Sequence, residues 1–207
     1  MKRVLIALFV LAVSYQAGTA QVRIGFKGGL NLSEVRTDDK EENKEIGIRP
    51  AFHVGVITDI SLSSSLSLQP QLYYSGRGAK ADHGDHKDIF TFHSIELPVN
   101  LLYKSACKSG TFFIGGGPSL GVNLSGKLEA SDDPSENFDF EFGSKAGQIK
   151  RADVGFNVLA GYELKNGLLI SANYTRGITN WTNTASQWRN NTLGISVGYF
   201  LGKAKKK

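Results

Sequence analysis

Six residues with side chains able to bind a divalent cation crowd one stretch of the sequence: Asp82, His83, Asp85, His86, Asp88 and His93. Imidazole and carboxylate are common ligands for such ions. Their spacing is not that of a structural zinc site, so the stretch reads as a solvated loop, and no metal or other cofactor is expected. His53, Ser75 and Asp88 supply the residue types of an acyl-transfer triad. Nothing in their spacing fixes a shared geometry, and the chain has no G-x-S-x-G nucleophile turn. No catalytic residue is assigned and no enzymatic activity is expected. The single Cys107, in KSACKSG, cannot form an internal disulfide and reads as an incidental turn residue.

The elements that would position these groups are strands. About eight segments alternate apolar with small or polar residues, a period of two that places successive side chains on opposite faces. Val22, Ile24, Phe26, Leu30 and Leu32 share one parity, and Arg23, Gly25, Lys27, Gly29 and Asn31 the other. The same division separates Phe52, Val54 and Val56 from His53, Gly55 and Asp59, and Ile95, Leu97, Val99, Leu101 and Tyr103 from Glu96, Pro98 and Asn100. It continues through Thr111–Ser125, Arg151–Leu164, Leu168–Arg176 and Asn190–Gly202. Pro70, which cannot donate to a ladder, predicts a bulge in the third segment.

The connections alternate in length. Short turns fall near Ser61–Ser65, around Cys107 and at Lys165–Gly167, where Asn-Gly is a strong hairpin signal. Long, polar connections fall at Ser33–Gly47, Gly78–Asp88, Gly126–Gln148 and around Trp181 and Trp188. Turns on one side and loops on the other are the pattern of a barrel in a bacterial outer membrane. A soluble, lipocalin-like barrel with its apolar face inward is the rival. Bulky Phe, Leu and Tyr on one face against glycine on the other favour the apolar face outward, toward lipid.

Composition agrees. Met1–Ala20 has a charged start at Lys2 and Arg3, an apolar core at Val4–Val13 and small residues before Gln21, the anatomy of a cleaved signal peptide. The barrel is expected over residues 21–202, with a basic periplasmic tail at 203–207. The net charge of +5 does not indicate nucleic acid. Of 24 basic residues, two lie in the leader and four are Lys203, Lys205, Lys206 and Lys207, which leaves 18 against 19 acidic residues in the body. That body offers no basic face to track phosphates.

With the apolar face outward, Arg23, Lys27, Arg49, Asp59, Glu96 and Asp153 carry lumen parity or lie near it, as does Glu163. Charges in a narrow interior must pair or meet water. A packed polar plug is the favoured reading, with pairing between early and late strands, and a small porin-like channel is the alternative. Tyr103, Tyr162 and Tyr199 share outward parity at the turn-side ends of their segments, where an interfacial aromatic girdle belongs.

VRIGFKGGLNLSEV resembles the opening strand of the PorT-like, porin-family outer-membrane β-barrel proteins of Gram-negative bacteria, and HSIELPVNLLYK their central strand. DVGFNVLAGYEL, LLISANYTRGITN and NNTLGISVGYF resemble their last three strands. The resemblance implies a closed, antiparallel, eight-stranded transmembrane barrel in the outer membrane, in contact with its lipid, with envelope or secretion proteins as possible partners. It implies no active-site residue.

Overall fold

The computed structural model describes residues 21–37, 46–82, 87–131, 135, 137–183 and 187–201. The leader at 1–20, the tail at 203–207 and residues 83–86 of the His/Asp stretch lie outside the described residues. Ten strands follow in chain order: β1 (Val22–Thr37), β2 (Ile46–Gly47), β3 (Arg49–Ser61), β4 (Leu66–Asp82), β5 (Lys87–Ala106), β6 (Gly110–Ala130), β7 (Phe138–Asp139), β8 (Ala152–Leu164), β9 (Leu168–Gly177) and β10 (Trp188–Leu201).

The eight long strands form a closed antiparallel ring. Each pairs with its neighbour, β1 with β3, then β4, β5, β6, β8, β9 and β10 in turn. The seam between the two chain ends, β1 with β10, runs from Ile24↔Leu201 to Thr37↔Trp188. Closure removes every sheet edge, which a strand in lipid requires because hydrocarbon cannot satisfy a free N–H or C=O. Among the described residues no helix is long and apolar enough to cross a membrane.

Side-chain parity follows the sequence. Ile24, Phe26, Leu30, Phe52, Val54, Leu72, Leu101, Ile114, Leu120, Phe156, Ile170, Ile195 and Val197 all point out of the ring and are exposed. Their partners in the alternation are buried, mostly as polar residues, with only small apolar groups such as Ile57, Leu169 and Phe200 among them. A water-soluble fold would invert this arrangement. At the hairpin between β8 and β9, Gly167 takes φ of 92°, and its N–H donates to Leu164 O at 2.9 Å.

Three local expectations change. Gly78–Asp88 is largely strand, because β4 runs to Asp82 and β5 resumes at Lys87. β1 likewise continues through Val35 to Thr37. These extensions rest on one another, since Val35, Ala79, Phe92, Ile149 and Trp181 make a buried apolar cluster at the loop end, flanked by Ile46, Phe90, Phe140, Phe142 and Trp188. Pro70 produces no bulge. The β3–β4 ladder opens opposite it and resumes in the same register (Ile57↔Gln71, Ile60↔Leu68), so the missing donor costs a ladder bond without moving the chain. The register shift lies between His93 and Ser94 on β5, opposite an extra residue on β6 (His93↔Ser125, Ser94↔Asn123). That bulge leaves Leu124 and Ser125 both exposed and turns Gly126 inward, so β6 reverses parity there.

Candidate functional site

The ring's interior is the candidate site, and its charges gather in two clusters. At the turn end, the Arg23 guanidinium lies between two carboxylates. Its Nη2 donates to Asp59 Oδ2 at 2.6 Å, and both Nη groups reach the Glu163 carboxylate. Lys104 Nζ donates to the same Asp59 Oδ2 at 2.5 Å. The Arg23 guanidinium also stacks 4.4 Å from the centre of the Phe200 ring. The pairing crosses the seam, since β1 reaches both β3 and β8.

Toward the loop end, Arg77 is the hub. Its Nη1 donates to Asp153 Oδ2 at 2.7 Å, and its Nε lies 3.3 Å from Glu96 Oε1. Its Nη2 donates to Ser94 Oγ and Asn123 Oδ1. Above it sits Trp181, fully buried, with the guanidinium 5.0 Å from the ring centre. Trp181 joins the apolar cluster at this end, packed edge-on against Phe92.

Between the clusters the lumen is filled by neutral polar side chains and Lys27. Lys27 Nζ donates to Gln71 Oε1 at 3.0 Å and lies over the Tyr73 ring. Asn100, Asn157, Asn173 and Thr175 form one hydrogen-bonded chain around Asn157. His53 Nε2 meets Ser196 Oγ at 2.9 Å, and its Nδ1 meets Asn31 Oδ1 at 2.8 Å. This is the contact order of a hydrolase triad, but His53, Ser196 and Asn31 are all almost fully buried, and the cross-strand Ser75 accepts from Asn31. Asp88 is at the far loop end, on the outermost part of the β5 ladder, well away from His53 and Ser75.

The structure therefore brings Arg23 and Asp59 together, and Glu96 and Asp153 together around Arg77. It leaves Lys27 on amide and aromatic partners. Arg49 stands apart from both clusters: it is half-buried beyond His53, where the β3–β4 ladder ends, and its Cδ packs close to Gly78. Two cluster members escaped the sequence reading. Arg77 continues the inward parity of Ser67, Gln69, Gln71, Tyr73 and Ser75, and Lys104 continues that of Glu96, Pro98 and Asn100. Reading the inward parity through to the last residue of each segment finds both. Trp181 had no such signal, because it lies outside any periodic segment.

Outside, Tyr103, Tyr162 and Tyr199 stand at the turn end, with the Tyr162 hydroxyl against Ser109 Oγ at 2.6 Å. His93 faces out as well, stacked on Tyr74 and hydrogen-bonded to its hydroxyl.

An eight-stranded ring with an apolar exterior and a packed, charged interior defines a transmembrane barrel. The chain belongs to the outer membrane protein beta-barrel domain family, whose profile matches residues 15–183, and its place is the bacterial outer membrane. No curated protein matches it. Among solved structures it is similar to Neisserial surface protein A, at 13% identity over 85% of this chain and 96% of that one, with a TM-score of 0.48. It is similar too to Ail, the attachment invasion locus protein of Yersinia pestis, at 10% identity over 87% and 99% of the two chains, with a TM-score of 0.46.

Proposed function

We propose that this protein is a closed, non-enzymatic barrel that works through its loop end, as a structural, partner-binding or secretion-accessory component of the envelope. One observation carries the reading: two ion-pair clusters and the Trp181 cap obstruct the lumen at separate depths, with hydrogen-bonded amides between them. An eight-stranded interior is just wide enough for side chains to fill. The buried His53–Ser196 contact supports a structural rather than a catalytic role, because a nucleophile needs a path to substrate and donors for an oxyanion.

Kinship with PorT-like barrels, and through it an accessory role in secretion, rests on the strand motifs in HSIELPVNLLYK and NNTLGISVGYF. Loss of secreted protein on deleting the gene, restored by the full chain, tests that finer assignment. The lumen is tested by recording from the refolded full chain in a planar bilayer. The expected result is no steady conductance. Steady conductance whose ion selectivity changes in Glu96→Gln, at unchanged stability, overturns the reading in favour of a small channel.

A further inference from the structure

On the outer surface of β1, β10 and β9, three arginines are ladder neighbours above the apolar band. Arg36 lies directly opposite Arg189 across the β1–β10 ladder. Arg176 pairs with Asn191 on the β9–β10 ladder, which makes it a diagonal neighbour of Arg189. Residues directly opposite have Cβ atoms about 5 Å apart, and diagonal ones about 7–8 Å. Like charges so placed repel, and long side chains at these spacings can converge on one anion.

The local counter-charge is small. Glu34 accepts from Arg36 Nε at 2.7 Å and is, among the described residues, the one carboxylate bound to any of the three. The Arg189 Nη2 donates to Gln187 Oε1, but its Nε is buried without an acceptor among the described residues. Arg176 is exposed.

The neighbourhood says what kind of ligand completes the site. Directly below Arg36 and Arg189 the next cross-strand row is Glu34, Asn191 and Arg176, and one pleat period below that row, about 7 Å, lie Leu32, Leu193 and Tyr174. The row beneath that is Leu30, Ile195 and Ala172, with Leu30 and Ile195 among the more exposed apolar side chains of the barrel. A soluble anion gains nothing from such a surface. A lipid gains both parts, because its acyl chains lie on the apolar rows while its headgroup meets the guanidinium forks.

We propose that Arg36, Arg176 and Arg189 bind a phosphate of a phosphorylated glycolipid in the outer leaflet, with its acyl chains along Leu193, Ile195 and Leu30. Guanidinium suits this role because its planar donors match phosphate oxygens two at a time. The loop end of such barrels faces outside, which places the site in the outer leaflet. The site does not depend on whether the lumen conducts.

The test titrates the full barrel in detergent with bisphosphorylated lipid A, with the dephosphorylated lipid and with inorganic phosphate, read by native mass spectrometry. The expected result is saturable binding of the phosphorylated lipid, weak binding of the dephosphorylated one and no displacement by inorganic phosphate. Arg176→Gln and Arg189→Gln should each weaken binding roughly tenfold, the loss of a charge-assisted hydrogen bond. Arg176→Lys should recover part of it, and Lys80→Gln, on β4 two strands round the ring from β1, should change nothing. Folding of each variant is checked by its heat-modifiable gel mobility. Equal affinity of the triple Arg→Gln variant, or equal binding of the dephosphorylated lipid, overturns the proposal. Displacement by inorganic phosphate does so too, and marks the cluster as a general anion site.

Discussion

One oxygen of Asp59, Oδ2, accepts from both Arg23 and Lys104, at 2.6 and 2.5 Å. Arg23 has Glu163 as a second partner, whereas Asp59 is the carboxylate that Lys104 meets. The two cations therefore depend on Asp59 unequally.

Asp59→Asn should strand Lys104 and destabilise the barrel by about 3–5 kcal/mol, the cost of breaking a buried pair from one side. Adding Lys104→Met should restore part of the loss by removing the orphaned charge. Urea unfolding in lipid vesicles measures both. A single variant as stable as the parent would mean that water already fills the turn end of the lumen.

Neighbouring glycines on β1 should respond oppositely. A Cβ on Gly29 would stand 2.0 Å from Ile195 O, a backbone atom that cannot yield without moving β10. A Cβ on Gly28 would meet nothing closer than His53 O at 3.5 Å, an ordinary contact. Gly29→Ala is expected to cost about 1–3 kcal/mol as overpacking, and Gly28→Ala to be near neutral. The same unfolding assay compares them, and equal effects would contradict the seam register Gly29↔Ser196.

Val158 points outward near the middle of β8. Replacing it with Arg should cost roughly 2–4 kcal/mol, the penalty for a charge at the bilayer midplane. Ser63→Arg, in the turn between β3 and β4, should be tolerated. If both variants fold into vesicles with equal stability, lipid does not contact the face that carries Val158.

Cys107 is free and exposed in the turn between β5 and β6. An impermeant maleimide should leave it unlabelled in intact cells and react once the outer membrane is opened. In a Cys107→Ser background, a cysteine in place of Glu141, exposed in the long connection after β7, should label without opening the membrane. Labelling of native Cys107 from outside would invert the orientation.

The lipid face was legible in the sequence because period two is a local signal and both faces of each strand were chemically distinct. Ile24, Phe26 and Leu30 against Arg23, Lys27 and Asn31 leave no other register once the ring is closed. What stayed hidden depended on partners far along the chain. The buried row Ala79, Phe92 and Trp181 comes from three segments, and only their meeting makes strand out of Gly78–Asp82. The parity reversal after Leu124 was hidden for a similar reason, since a bulge is defined by the strand opposite it. Among the charges, parity identified the faces of Arg23, Asp59, Glu96 and Asp153, but not which charges would meet. The hub, Arg77, was passed over because its strand was taken to end there.

The seam has a consequence for how the chain reaches this state. Arg23 and Glu163 are 140 residues apart, and β1 cannot pair with β10 until the last strand has been delivered. Until then the ring has two open edges and an apolar exterior with nothing to cover it. Contacts of such sequence separation form slowly, because the entropy of closing the loop is spent before the contact rewards it. The translocated chain must therefore be shielded from aggregation until Leu201 is available, and a truncation that removes β10 should yield an insoluble polypeptide rather than a smaller barrel.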